Sequence, residues 1–446
     1  MDILNRLKKS VAAYSNSTQS IAPLAVFRII FGACVCFSTI RFMWLGWIHE
    51  QYIEPHIHFH YFGFAWVKGV EYVGEIGVYA MFGLLLLAAV GVMIGAWYRV
   101  SSVLMFLTFT YIELLDITYY LNHYYFVSII AGMLIFLPAN RSCSVDVRRN
   151  PALRFEQIPS WMIDVLKVQI ALVYCFAGIA KINADWLFHA LPLSIWLPAH
   201  DQLPLVGEYF RQPWLAYLFS WSGMLFDCSI PFFLLWHRTR VAAFCTAVAF
   251  HAITGWMFQI GVFPLVMSLA ILIFFSENFH LRIVDWIERM HRFRSRSTTA
   301  VYSSPRFIAY LFTLHIVFQL LFPWRYLLYP GNMFWTEQGY RFGWRVMLME
   351  KAATATFTMR DGATGREGIV DNGEFLNTHQ EKQMAMQPDM ILEYAHFLAE
   401  HYKAQGVADP MVRAEVYVTL NARPSKLLID PNIDLSKIED GWSHKT

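Results

Sequence analysis

The stretch Phe176-Ala-Gly-Ile-Ala-Lys181-Ile-Asn-Ala-Asp-Trp186 places a lysine at the end of an apolar segment long enough to cross a membrane. A charged side chain at such a position is costly and therefore marks a candidate functional site. Burial in apolar surroundings disfavours the ammonium form, so Lys181 is a candidate base. The alternative is that Lys181 extends its ammonium to the membrane interface and has no chemical role.

The composition is typical of a polytopic membrane protein. Of 446 residues, 57% are hydrophobic and only 15% are charged, a more apolar balance than soluble domains carry. Long apolar runs predict about nine transmembrane helices, near residues 22–44, 76–97, 101–118, 122–138, 162–181, 214–236, 241–258, 260–276 and 307–323. We therefore expect a membrane all-α helical bundle that occupies residues 1–323.

Basic residues are concentrated in the N-terminus and in three of the predicted loops. They include Arg6, Lys8, Lys9, Arg141, Arg148, Arg149, Arg154, Arg238, Arg240, Arg282, Arg289, Arg292, Arg294 and Arg296. The positive-inside rule predicts that these segments are cytoplasmic. With nine spans, the N-terminus is then cytoplasmic and the polar segment 324–446 is extracytoplasmic.

The C-terminal segment has the pattern of a small α+β domain, which we assign to residues 324–446. Residues 355–359 have strand composition, and the turn signal at 361–365 precedes a returning strand. Residues 388–404 show the spacing of an amphipathic helix. A second hairpin is predicted between 414–420 and 427–429.

Several chemistries have no support in the sequence. Nucleotide, zinc-protease and serine-hydrolase motifs are absent, and nothing suggests a nucleic-acid partner. The six cysteines include no C-x-x-C pair and suggest no disulfide framework. His56, His58 and His60 alternate but have no obvious fourth ligand, so we expect no metal site.

Other polar residues are predicted near Lys181 in the outer half of the membrane. Asn122 and His123 begin the fourth predicted span at the face where Lys181 ends the fifth, and His251 lies in the seventh. We expect these four residues to share a site. The alternatives are a satisfied core histidine for His251 and an aromatic interface belt around His123. Four further charged residues are expected to form ion pairs within the bundle: Arg28, Glu113, Asp116 and Asp227.

A series of short motifs extends along nearly the whole chain. They are Phe27-Arg-Ile-Ile-Phe-Gly32, Gly95-Ala-Trp-Tyr-Arg99, Leu114-Leu-Asp116 with Asn122-His123, Phe176-Ala-Gly-Ile-Ala-Lys181 with Asp185-Trp186, Phe250-His251, Gln338-Gly-Tyr340 and Arg360-Asp-Gly-Ala-Thr-Gly365. In this order they resemble the vitamin K-dependent gamma-glutamyl carboxylase family. The resemblance implies a short bacterial homologue of the horizontally transferred transmembrane domain type, located in the inner membrane.

The resemblance also implies a reaction. In that family a membrane-buried lysine deprotonates reduced vitamin K, a naphthohydroquinone, and reaction with O2 yields the 2,3-epoxide. The strongly basic alkoxide formed on the way removes a γ-proton from a glutamate side chain, which then captures CO2. Lys181 matches the family lysine and His123 a histidine tied to proton transfer, so both are expected to be catalytic. Asn122 and His251 are expected to bind the quinone cofactor.

The resemblance does not decide how many steps of the family's reaction this chain carries out. Animal carboxylases continue beyond the segment that matches Leu428-Ile-Asp-Pro431, so epoxidation is the firmer expectation and carboxylation of a glutamate-containing protein or peptide is the open one. The alternative function is a non-catalytic quinone- or lipid-binding membrane protein that presents an extracytoplasmic interaction domain. A quinone reductase of the vitamin K epoxide reductase type is disfavoured by the missing C-x-x-C motif.

Overall fold

The structure is a computed structural model that describes residue 5 and residues 13–204, 206–258, 260–290, 301–439 and 441. The longer helices before the C-terminal sheet are α1 (Ala22–Trp44), α2 (Val70–Ile94), α3 (Tyr98–Glu113), α4 (Asn122–Phe136), α5 (Trp161–Ala180), α6 (Pro213–Leu235), α7 (Arg240–Phe258), α8 (Phe263–Ala270), α9 (Glu277–Met290) and α10 (Arg306–Leu321). Short helical segments lie at Trp47–Tyr52, Ile117–Tyr119, Val145–Arg149, Pro151–Leu153, Ala184–His189, Leu193–Trp196, Pro198–His200, Gly207–Phe210, Ile271–Phe274, Phe322–Leu328 and Met333–Thr336.

The chain is an integral membrane protein, but nine spans are not confirmed. In the described part of the chain, six helices are long and apolar enough to cross a membrane, and a seventh span results if the bent pair of α8 and α9 counts as one. The six are α1, α2, α5, α6, α7 and the stretch Arg306–Leu328.

The remaining predicted spans differ from expectation because of their length and shape. Helices α3 and α4 have 16 and 15 residues, so each is about 24 Å long or less, short of a hydrocarbon core of about 30 Å. The predicted span 260–276 is shorter than expected, since its helical part covers only Phe263–Phe274 and the chain then bends by 109° into α9. Hydropathy counts apolar residues, but it does not locate these helix ends.

Four segments of the chain meet at one end of the bundle, which we call the N-terminal end. Strand β1 (Thr18–Ser20) pairs antiparallel with β2 (Gln157–Pro159). The Asp146 carboxylate accepts the backbone N–H of Trp97, in the turn between α2 and α3, at 2.8 Å. Arg154 forms an ion pair of 2.9 Å with Glu288 on α9.

Arg28 anchors this end through backbone carbonyls. Its side chain is fully buried and donates hydrogen bonds of 2.6–3.1 Å to the carbonyl oxygens of Val92, Met93, Ala139 and Cys143. These acceptors belong to the α2 terminus and to the connection after α4. Arg28 therefore joins three parts of the chain, and the expectation of an ion pair for this residue was wrong because carbonyl dipoles replace a carboxylate.

Glu113 has no ion-pair partner among the described residues, contrary to expectation, whereas Asp116 lies 3.3 Å from the Nδ1 of His58. Glu113 accepts a hydrogen bond from the Ser128 hydroxyl at 2.5 Å. Asp116 accepts one from the backbone N–H of Thr118 at 2.9 Å and caps the short helix that follows α3. This capped turn explains why the predicted span 101–118 ends as a helix at Glu113.

The C-terminal domain is built on a four-stranded antiparallel sheet of order β4-β3-β5-β6. The strands are β3 (Lys351–Asp361), β4 (Glu367–Ile369), β5 (Pro410–Leu420) and β6 (Lys426–Leu427), and the helices are α11 (Thr378–Ala385) and α12 (Pro388–Ala404), with short turns at Asn372–Glu374 and Leu435–Lys437. The two predicted hairpins thus join through β3 and β5, which pair along their whole length. The predicted helix 388–404 coincides with α12. The apolar faces of β5 and α12 form the domain core.

The domain docks on the end of the bundle opposite the N-terminal end, which we call the domain end. His60 donates its backbone N–H to the Glu393 carboxylate, and its Nδ1 lies 2.6 Å from Glu393 Oε1. The Gln380 amide of α11 donates to Asp116 at 2.8 Å. His58 Nδ1 lies 3.3 Å from the same aspartate. Of the alternating histidines, His60 therefore contacts a carboxylate of the domain and His58 one of the bundle.

Replacement of Arg28 by lysine should destabilise the protein although the charge is kept. An ammonium has three donors and cannot reproduce the four carbonyl contacts of the guanidinium. Each lost charged hydrogen bond costs about 2 kcal/mol. We expect Arg28→Lys to lower the midpoint of thermal unfolding, measured by circular dichroism in detergent. The exposed Arg99, which donates to one carbonyl, is the matched control, and an equal loss for Arg99→Lys would contradict this account.

The domain contact made by His60 should depend on pH. The hydrogen bond with Glu393 raises the pKa of His60 above its ordinary value, so the contribution of the pair is fully present below that ordinary value and is lost as pH rises through the raised pKa. The unfolding temperature should therefore fall as pH rises from the ordinary pKa of histidine through the raised pKa of His60. His60→Gln should flatten the dependence. His396→Gln, which changes a histidine on α12 bound to a carbonyl, should not.

Candidate functional site

A close contact between α5 and α6 positions Lys181. Gly178 lies two residues before the end of α5, and a Cβ there would meet the Cys228 backbone nitrogen at 2.7 Å. Only glycine allows the two helices to approach this closely. Lys181 is the C-terminal cap of α5, and its neighbour in space is Asp227 on α6, the residue before Cys228.

Lys181 and Asp227 form a buried ion pair. The Lys181 Nζ lies 2.8 Å from Asp227 Oδ2 and donates a second hydrogen bond of 3.3 Å to the Ala177 carbonyl. Both side chains are 8% exposed, and the Nζ lies 5.3 Å from the centre of the Trp186 ring. The expectation that Asp227 forms an ion pair in the bundle is confirmed. Lys181 is consequently not an isolated buried amine, because the carboxylate compensates the ammonium charge.

A cavity of about 90 Å³ opens beside this pair. Its walls are largely apolar and aromatic and are formed by Val173, Tyr174, Ala177, Lys181, Trp186, Leu193, Trp196, Phe219, Gly223, Asp227, Phe250, His251, Thr254, Phe258, Ile260, Phe263, Met267, Val346 and Met347. Its volume is below the roughly 300–1,000 Å³ typical of ligand sites, but its apolar and aromatic walls with a few convergent polar groups have the character of such sites. We call it the lysine cavity.

His251 contributes a polar atom without a partner to the lysine cavity. Its Nε2 lies 2.7 Å from the Tyr174 hydroxyl, and the side chain is almost completely buried. Within the described residues, its Nδ1 has no hydrogen-bond partner. A buried polar atom in this state is uncommon and points to a ligand or a water. The Tyr174 contact already satisfies Nε2, so Nδ1 is the nitrogen that remains for a ligand.

Tyr174 is a site residue that sequence reasoning missed. It lies seven residues before Lys181, which is two helical turns and therefore the same face of α5. The spacing was available in the sequence. An aromatic residue in an apolar helix is nevertheless a common core residue, and only the contact with His251 distinguishes this one.

Asn122 and His123 line a second, larger cavity of about 490 Å³. Asn122 begins α4, donates its side-chain N–H to the Arg345 carbonyl at 2.7 Å, and accepts a hydrogen bond from the Tyr120 hydroxyl at 3.1 Å. His123 is buried beside it. Residues of the bundle and of the C-terminal domain both contribute to the walls, so we call this the junction cavity.

The two cavities are neighbours that share a thin wall. Ile260, Phe263, Val346 and Met347 line both of them. The Phe263 ring lies 5.8 Å from the ring of His123 and 5.8 Å from that of His251. Lys181 and His251 line one cavity, whereas Asn122 and His123 line the adjoining one, and a single site shared by all four residues stays a prediction.

The segment after Lys181 is fastened to the C-terminal domain. Asp185 accepts hydrogen bonds from the Arg423 guanidinium at 2.5 and 2.8 Å and from Asn421 at 2.8 Å. The Arg423 contact lowers the pKa of Asp185 below its ordinary value. The Trp196 indole N–H donates to Glu350 at 2.5 Å. Segment 182–196 therefore covers the lysine cavity while it is held by the domain.

Comparison with known families identifies both parts of the chain. Residues 16–279 match the family model for the HTTM domain. Residues 304–446 match the model for the vitamin K-dependent gamma-carboxylase lumenal domain. No solved structure matches the chain. The chain therefore belongs to the vitamin K-dependent gamma-glutamyl carboxylase family.

Proposed function

We propose that the protein oxygenates a reduced naphthoquinone of the vitamin K type to its 2,3-epoxide, with Lys181 as the base. The observation that carries this proposal is the buried Lys181–Asp227 pair in the wall of an apolar cavity. A carboxylase-like membrane enzyme is what the two matched families suggest.

The ion pair can act as a base once its own proton is redistributed. Transfer of one ammonium proton to Asp227 leaves a neutral amine on Lys181 and a carboxylic acid at 2.8 Å. The amine then takes a proton from a hydroxyl of the substrate. The new ammonium balances the negative charge left on that substrate, and the surrounding apolar walls strengthen this attraction.

The other polar groups of the lysine cavity suit a substrate with two oxygen atoms. Lys181 Nζ and His251 Nδ1 are separate groups on α5 and α7, and Nδ1 has no partner in the described part of the chain. We propose that His251 binds the second oxygen while Tyr174 holds the imidazole in place. When bound, the reduced quinone would be the group that reacts with O2. The protein would deprotonate it and exclude water from the cavity.

His123 and Asn122 are assigned roles in the same reaction, from the adjoining cavity. We propose that they act from the junction cavity, with His123 in proton transfer and Asn122 as a contact for the quinone at the shared wall. If the reaction is coupled to gamma-carboxylation by CO2, the glutamate side chain would bind in the junction cavity. The alternative of a non-catalytic quinone- or lipid-binding protein requires only the lysine cavity and predicts binding without turnover.

The proposal includes the orientation in the membrane and the domain boundary. We propose that the N-terminal end is cytoplasmic, the domain end extracytoplasmic and the membrane a bacterial inner membrane, with the bundle ending at residue 323 and the domain beginning at residue 324. The basic residues described at the N-terminal end support this orientation. Arg6, Lys8, Lys9, Arg292, Arg294 and Arg296 lie outside the described residues.

Lys181→Ala should abolish epoxide formation. The substitution removes the proposed base, and positioned general bases contribute about 100-fold to 10,000-fold in rate. Purified protein in nanodiscs would receive vitamin K hydroquinone and O2, and the epoxide would be measured by chromatography. Lys167→Ala is the matched control, because Lys167 is on the same helix and also pairs with an aspartate, Asp164, at 3.1 Å. Full activity of Lys181→Ala would refute the mechanism, and quinone binding without epoxide in the unmodified protein would favour the non-catalytic alternative.

Asp227→Asn should slow the same reaction, and it should also lower the stability of the protein because it removes one partner of a buried ion pair. The amide keeps the shape and a hydrogen bond but cannot take the ammonium proton, so the internal transfer that frees the Lys181 amine is lost. We expect a fall in kcat of at least about 100-fold. Unchanged kcat with the native pH profile would show that Asp227 serves only as a counter-ion.

A further inference from the structure

A third, smaller cavity of about 180 Å³ lies where two membrane-spanning segments end, at the domain end of the bundle. One wall is formed by the last turn of α5 and the residues that follow it, and another by the end of the stretch Arg306–Leu328. Both segments are long and apolar enough to cross a membrane. We call this space the boundary cavity.

The rim of the boundary cavity is apolar and exposed. Ile179, Ile182 and Trp324 line the cavity and are exposed on the surface of the bundle. The Trp324 ring also packs against Phe176 of α5, with 5.9 Å between the ring centres. Tryptophan is enriched where membrane helices meet the lipid headgroups. The position at two helix ends and this rim therefore place the cavity at the headgroup level of the bilayer.

Arg345 supplies a buried positive charge to the boundary cavity. Its side chain is 8% exposed, and its guanidinium lies over the ring of Tyr326 at 4.2 Å. Arg345 also contributes to the wall of the junction cavity, but Tyr326 lines the boundary cavity, so the guanidinium lies on that side. No carboxylate in the described part of the chain pairs with Arg345, and its Nε has no hydrogen-bond partner there. An anionic ligand would offset the cost of burying this charge.

The chemistry of the boundary cavity fits the phosphate of a membrane lipid. A guanidinium binds phosphate through two parallel hydrogen bonds. The cavity is smaller than the roughly 300–1,000 Å³ typical of sites that enclose a whole ligand, so it suits a headgroup whose acyl chains stay outside along the apolar rim. Among the described residues that line it, none is acidic. A headgroup with an ammonium would find no counter-charge there, whereas a glycerol headgroup needs none.

We propose that the boundary cavity binds the phosphate of an anionic phospholipid from the membrane leaflet at the domain end, with Arg345 as its contact. The backbone carbonyl of Arg345 accepts the side-chain N–H of Asn122 at 2.7 Å, and the next two residues, Val346 and Met347, line the lysine cavity. A bound lipid would therefore hold the segment that shapes both of the other cavities. The inference does not depend on the reaction proposed for Lys181.

The test measures lipid binding to the full chain in a non-ionic detergent by native mass spectrometry. Phosphatidylglycerol is titrated and compared with phosphatidylcholine of the same acyl chains. We expect one phosphatidylglycerol to bind more tightly than further copies and more tightly than phosphatidylcholine. Arg345→Gln should weaken this first binding by about 10-fold to 100-fold, the worth of a charged hydrogen bond. Arg345→Lys should recover part of the loss.

Arg325→Gln is the matched control for the loss of a cation. Arg325 also lies over an aromatic ring, that of Phe322 at 4.1 Å, but it lines a different cavity. We expect this variant to keep the first phosphatidylglycerol. Equal weakening by Arg325→Gln, or equal binding of the two lipids by the unmodified protein, would overturn the inference.

A second pair of variants tests the cavity without changing Arg345. Ile182 is exposed at the rim, so the carboxylate of Ile182→Glu should repel the lipid phosphate and weaken binding. Ile182→Gln has nearly the same shape without the charge and should bind as the unmodified protein does. Equal binding by the two variants would contradict the assignment. Inorganic phosphate should not displace the lipid, and displacement would show that a free anion is the occupant instead.

Discussion

A helical bundle in a membrane has to compensate every charge that it buries, and three of the four buried lysines and arginines among the described residues meet that constraint differently. Arg28 is surrounded by four carbonyl oxygens and serves as a structural clamp. Lys181 is paired with a carboxylate. Arg345 rests on an aromatic ring and has no acid beside it in the described part of the chain. The three cations are thus compensated by carbonyl dipoles, by a carboxylate and by an aromatic ring.

The C-terminal domain completes the site as well as covering it. Arg345, Val346 and Met347 lie just before strand β3, and they form part of the wall of the junction cavity or of the lysine cavity. The domain also holds segment 182–196 through the contact of Asp185 with Arg423. Neither cavity is therefore a property of the bundle alone. A loss of docking would change both sites together.

The sequence was sufficient for features set by local patterns. Apolar runs located α1 and α5 closely, and amphipathic spacing located α12 at its observed bounds. Helix lengths near 15 residues and the bend after Phe274 were not predictable, because capping and packing decide where an apolar helix stops. The family resemblance was confirmed by two matched models.

The sequence could not predict the contacts that residues far apart in the chain make at the site. Lys181 was conspicuous because a charge in an apolar run is costly, but its partner is 46 residues away, and several acids were equally eligible. Arg345 is unremarkable in the sequence, since only the structure reveals a missing counter-ion. The division of the expected site into two cavities was also hidden, because a wall residue such as Phe263 has the same pattern as any core aromatic.

The Phe263 ring has a consequence for the order of events. Its side chain contacts both histidines and is part of the partition between the two cavities. Rotation of one aromatic side chain, without any motion of helices, would change how far the two compartments communicate. A single rotamer equilibrium of Phe263 would then determine when the two compartments are joined.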